Sequence, residues 1–244
     1  MSANEQGVTR RFMLKTAAAG VGGVLAGGAL ALPMGCEGRG AKEKAEGTAV
    51  ATFKNEDFYD RTFADEKRTF LAAKAEEAYF DMMRRFAYPV VPKFKTDEFW
   101  ALDFGLGDFV HVGMAGIFWW NSKEYDYFGH EIFLLPGQML VEHAHVETPD
   151  AKPKMEAWQV RHGMIYTFGE GDPTEPCPVQ LPESQKEFIT VRHAEPLMPG
   201  EVRELNRPTA KHFMIAGPEG AIVSEYATYH DNAGLRFTNP KAKL

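Results

Sequence analysis

The sequence predicts an all-β domain, a sandwich or barrel, with one helix packed against it. A series of short apolar or alternating runs follows Phe99, most of them separated by Gly, Pro, Asn or Asp, which is the pattern of many short antiparallel strands. Ahead of them lies a single run of helical period. With 244 residues, 44% of them hydrophobic, the chain buries a sizeable core without metal or disulfide staples.

The elements follow in order. Residues 1–36 read as a signal peptide, to be set aside before fold reasoning. Thr9-Arg10-Arg11-Phe12-Met13-Leu14-Lys15 resembles the twin-arginine export signal, and Thr16 to Leu32 is a charge-free, Gly/Ala-rich run too glycine-rich and short to anchor well in a bilayer. Ala29-Leu30-Ala31 fits cleavage; Gly35-Cys36 would begin a lipoprotein, against which Pro33 and Met34 speak. That route carries folded proteins, often with their metal inside, to the periplasm or the exterior. Glu37 to about Lys54 is polar and without period, so 37–60 is expected to be a disordered linker. Residues 61–98 form a helical extension: Leu71, Ala75, Ala78, Tyr79, Met82, Met83 and Phe86 recur at helical spacing, Asp65 is its N-cap, and Pro89 and Pro92 stop it. Strands are expected over 109–120, 130–135, 138–146, 156–161, 164–168, 188–192, 201–205, 211–216 and 221–228. They make 99–244 the barrel, with 170–187 a surface loop and a fraying C-terminus.

Composition excludes several functions. The formal charge of −7 argues against nucleic acid or anionic membrane as partner. The only cysteines, Cys36 and Cys177, exclude a disulfide scaffold and a thiolate-only metal site. No apolar stretch of membrane-spanning length stands outside the N-terminus.

The chemistry gathers in Gly137-Gln-Met-Leu-Val-Glu-His143-Ala-His145, with Glu156 and Gly163 following. Residues two apart on a strand share a face, so His143 and His145 point into one cavity. A hairpin through Pro149 and Asp150 returns Glu156 beside them. Two imidazoles and a carboxylate suit a divalent first-row metal, and His212 is the best candidate for a fourth ligand from a later strand. A lone histidine such as His111, His162 or His193 reads instead as a surface or hydrogen-bonded residue.

Glycine, five residues, His-x-His, a later Glu and a glycine seven beyond it resemble the first motif of the cupin superfamily, and His212 the histidine of the second. That resemblance implies a double-stranded β-helix, a jelly-roll barrel. Within the cupins the chain resembles the D-lyxose isomerase family of sugar ketol-isomerases over roughly Ala64 to Pro240. The carriers are Leu102-Asp-Phe-Gly-Leu-Gly-Asp-Phe-Val with Asn121, Lys154-Met155-Glu156 with Arg161, and Ser224-Glu225-Tyr226-Ala-Thr228-Tyr-His-Asp231 with Arg236-Phe237 and Pro240. Glu142 before the first histidine and a long His145–Glu156 interval depart from the family pattern.

The resemblance implies aldose–ketose isomerisation of an open-chain sugar. The ion, most readily Mn with Zn, Fe, Co or Ni also compatible, would bind both reacting oxygens. Glu225 is then the base and Lys154 the acid or charge stabiliser, although a carboxylate paired with Lys or Arg and a solvated lysine are the bland readings. Asp231, Arg236 and Trp120 are candidates for sugar binding; Trp119 and Trp120, as neighbours on a strand, should face opposite sides. A homodimer is expected by analogy with other cupins. Two other functions stay open: a cupin dioxygenase, which would prefer an apolar cavity, and an exported carbohydrate- or metal-binding cupin without turnover.

Overall fold

The computed structural model describes residues 52–61 and 68–244; the expected signal peptide, Cys36, most of the expected linker and Asp65 lie outside them. A short hairpin, β1 (Tyr59–Arg61) with β2 (Arg68–Phe70), precedes helix α1 (Ala72–Arg85). Then come β3 (Phe99–Leu102), β4 (Met114–Ser122), β5 (Tyr127–Leu134), β6 (Met139–His145), β7 (Glu156–Gly169), β8 (His193–Leu197), β9 (Val202–Glu204), β10 (His212–Ala227) and β11 (Leu235–Phe237).

These nine strands, β3 to β11, form one curled antiparallel sheet ordered β11-β6-β10-β5-β4-β3, with β7 along the free edge of β10 and β8 and β9 along β7. Strand β10 closes the barrel. Its first half pairs with β6 and its second with β5, while β7 follows it throughout. The switch falls at the register shift between Ala216 and Ala221. There Gly163, at φ +69°, approaches so closely that a Cβ would lie 1.9 Å from the Gly220 carbonyl oxygen. Only glycine permits that crossing, so the two pairs of expected runs, 156–161 with 164–168 and 211–216 with 221–228, are each one bent strand.

Helix α1 lays Ala75, Tyr79, Met82 and Met83, all fully buried, against Phe109, Ile117, Phe133 and Ile222 on the outside of the sheet, as its apolar stripe predicts. It starts at Ala72, with Leu71 as a cap that makes no side-chain bond, because residues 68–70 are taken by the hairpin. The expected linker is structured at its end: Phe58 and Tyr59 are buried in the same cluster, and the Tyr59 hydroxyl donates to Asp103 at 2.8 Å.

Three further expectations are corrected. The strand expected from 109 begins at Met114, because the amides of His111 and Val112 turn back onto the Asp108 carbonyl. Residues 188–192 form no strand: Ile189 and Val191 are buried in apolar contact, but the amides of Thr190 and Val191 bond the Glu142 carboxylate instead of a neighbouring strand. The C-terminus does not fray; the Lys243 amide donates to the Phe104 carbonyl at 3.0 Å, and Leu244 reaches the cavity. Strand β6 is buried at every position, being covered by the barrel interior on one face and the 170–192 segment on the other.

Candidate metal centre and active site

The barrel encloses a cavity of about 260 Å³. His143 and His145 on β6, Glu156 at the start of β7 and His212 at the start of β10 all reach it, and their ligand atoms lie within 4.8 Å of one another. Cross-strand pairing explains the convergence, since His143 stands directly opposite His212. Two of the imidazoles are oriented from behind: His143 Nδ1 is 2.9 Å from the Val141 carbonyl and His212 Nδ1 3.0 Å from that of Ala210. Each Nδ1 must carry the proton to bond a carbonyl, which leaves Nε2 as a lone-pair donor toward the cavity.

Those donor atoms fit a cation. Glu156 Oε1 lies 2.5 Å from His212 Nε2 and 3.4 Å from His145 Nε2, yet none of the three completes a hydrogen bond. Buried polar atoms are ordinarily paired; a group of nitrogens and a carboxylate oxygen converging unpaired is the donor set of a first-row divalent ion.

Beside this cluster, Lys154 Nζ stands 2.7 Å from Glu156 Oε2 and also contacts Glu225 Oε1. Both are buried. Thr228 fixes the approach, for Met155 between the two site residues exchanges hydrogen bonds with its hydroxyl and amide. Burial by itself would lower the lysine pKa, but the two carboxylates outweigh it and hold the ammonium above its ordinary value. Burial would raise both carboxyls; Lys154 above all reverses this, so Glu156 lies well below the usual range and Glu225 below it. His143 moves down, through burial and then repulsion from the other imidazoles. For His212 burial acts downward too, but Glu156 wins and the value rises.

The three sugar-binding candidates fall outside the cavity. Arg236 on β11 alternates with Leu235 and Phe237, which line it, so its side chain turns outward and donates to the carbonyls of Ala233 and Leu235. Asp231 ties down the long His145–Glu156 segment, accepting from the Thr148 hydroxyl at 2.7 Å and the Ala233 amide at 2.9 Å. A β-bulge between Phe118 and Trp120 turns Trp119 and Trp120 both outward, 38% and 56% exposed. Phe118 takes the inward place.

Two cavity residues escaped sequence reasoning. His130 on β5 lies opposite Glu225, with Nδ1 3.2 Å from Glu225 Oε2. His230 stacks on Phe128 at 5.2 Å, held by Asn121 at its amide and carbonyl and by Asn232 at Nε2. Its place within the Tyr-His-Asp signature was the available signal. Around the polar groups the wall is apolar, with Met114, Ile132, Leu140, Trp158 and Met214.

No family model matches the chain. Curated relatives do. It is 32% identical to the D-lyxose/D-mannose isomerase of Thermosediminibacter oceani, over 69% of this chain and 91% of that one. It is 30% identical to the D-lyxose ketol-isomerase of Cohnella laeviribosi, over 70% and 91%. Among solved structures, the L-ribose isomerase of an Acinetobacter species in complex with L-ribose superposes with a TM-score of 0.56 at 15% identity, covering 69% of this chain and 91% of that one. That likeness identifies the fold as a double-stranded β-helix.

Proposed function

Because the chain belongs to the D-lyxose ketol-isomerase family and is a sugar isomerase, we propose that it interconverts D-lyxose, or a closely related aldose, with its ketose at the cavity described above, with Mn²⁺ held by His143, His145, Glu156 and His212. The observation that carries this reading is the convergence of unpaired Nε2 and Oε1 atoms next to a buried Lys–Glu pair. The chemistry such an ion supplies when bound is Lewis acidity toward the sugar's adjacent carbonyl and hydroxyl oxygens.

The side chains account for the proton transfers. Glu225, kept ionised by Lys154, takes the proton from C2 and returns it to C1. Lys154 donates to the carbonyl oxygen of the aldose and recovers a proton from the C2 hydroxyl as the ketose forms, so the enediol passes on without net proton change. The apolar wall keeps bulk water from competing for these protons.

Removing the ion with a chelator should abolish interconversion and added Mn²⁺ should restore it, while Glu225→Gln should lower turnover by about 10³-fold and keep its metal. Metal-dependent oxygen uptake without interconversion across a pentose and hexose panel would replace this reading with a dioxygenase. Tight sugar binding without turnover would make the protein a binder.

We also infer export, supported by Arg10-Arg11 ahead of a charge-free run. Replacing both arginines with lysine should trap the protein in the cytoplasm on cell fractionation. An unchanged periplasmic fraction would dismiss the signal.

A further inference from the structure

His130 is a buried titratable group of the cavity wall that the reaction above leaves unused. It directly faces Glu225 across the β5–β10 pair and is 6% exposed. Glu225 is thereby held at both oxygens, Oε1 by the Lys154 ammonium and Oε2 by His130 Nδ1 at 3.2 Å. An ionised carboxylate only accepts, so the imidazole proton sits on Nδ1. The other nitrogen, Nε2, is buried and unpartnered. His130 therefore meets Glu225 as a donor.

The surroundings are shaped to this ring. Trp100 at 5.7 Å, Phe118 at 4.9 Å and Phe128 at 5.6 Å box it. On the neighbouring strand, Gly116 leaves the space the ring needs: a Cβ there would lie 2.3 Å from His130 Nε2 and 2.8 Å from the Trp100 ring. A glycine in mid-strand weakens the strand unless something must approach closely. Here the histidine does.

We propose that His130 is a positioning residue that fixes the Glu225 carboxylate, so that the base keeps its orientation when Lys154 turns to the sugar oxygens. The proposal rests on the isomerase reading. It separates the two holders of Glu225: one is an ammonium shared with the reaction, the other an imidazole dedicated to geometry.

The test compares His130→Phe with His130→Asn in the metal-loaded enzyme. Phenylalanine suits the aromatic box but lacks a donor; the asparagine amide reaches the place of Nδ1. We expect His130→Phe to lower kcat by about 10- to 100-fold with KM, metal content and melting temperature little changed, and His130→Asn to recover most of the loss. A kcat within about twofold of wild type in His130→Phe, or a loss that follows unfolding or metal release, overturns the proposal. Crystal structures of both variants read the same point without turnover: the Glu225 carboxylate should swing away in His130→Phe and stay in place in His130→Asn. An unmoved carboxylate in His130→Phe overturns the proposal even if wild-type enzyme interconverts no sugar, which would instead sink the isomerase reading.

Discussion

Glu142 and His143 are neighbours on β6, both buried, and they face opposite sides of the same sheet with opposite polar economies. Glu142 points outward into the 170–192 covering, where its carboxylate accepts from the Thr190 amide and hydroxyl, the Val191 amide and the Thr238 hydroxyl at 2.5 to 3.1 Å. Every lone pair it needs to place is placed. His143 points inward to a group in which His145 Nε2, Glu156 Oε1 and His212 Nε2 complete no hydrogen bond. The contrast separates a structural buried polar group from a functional one. Satisfaction fixes a segment, here one that forms no strand of its own, whereas convergent dissatisfaction keeps a site for something else.

Paired substitutions test that contrast most severely. His143→Ala should lose the bound divalent ion and about 10³-fold or more of the activity, whereas its metal-free form should melt within about 3 °C of metal-free wild type. Glu142→Gln should do the reverse, keeping the ion and most of the activity while losing about 2–3 kcal/mol of stability, or about 5–10 °C in Tm. Metal analysis and calorimetry of the two proteins decide it; equal stability losses would erase the distinction.

Acidity gives an intermediate effect. Burial, and then the Lys154 ammonium, lowers the His230 pKa from 6.5 to about 4. Between those values the unfolded chain binds a proton that the folded chain does not, so stability falls as pH drops through this window and is fully present above it. His143 acts in the same direction; His212, with a raised value, contributes stability that is lost only above pH 6.5. Melting the chelated protein from pH 7.5 to 4 should show a decline of up to ~1.4 kcal/mol per pH unit from His230. His230→Phe should make it shallower, leaving the share of His143, and an unchanged slope would refute the assignment. The smallest effect belongs to the outer surface: Trp120→Ala should leave kcat/KM within about twofold, since Trp120 stacks on Tyr127 outside the barrel. A tenfold loss would mean that sugar meets this face.

Much of the fold was legible because it rests on local periodicity. The i, i+2 spacing on a strand placed His143 and His145 on one face, and the helical stripe of α1 found its sheet. Lys154 and Glu225 also reached the cavity as expected. The misreadings share a cause. Trp120 depended on a bulge, which changes facing by one inserted residue; Arg236 on the phase of a three-residue strand; Asp231 on a loop that it anchors through Thr148. His130 and Glu225 stand 95 residues apart in the chain, and nothing near either one announces the other.

The sequence by itself determined the all-β class, the packed helix and the residue types of the candidate ion site, because alternation, helical period and His-x-His spacing are properties of neighbouring residues. Only the tertiary structure decided which polar groups go unpaired, which histidine supports Glu225 and which aromatics leave the cavity. Those outcomes depend on strand register and on the switch of β10 between partners, and register is set by distant pairings that no local stretch of chain contains.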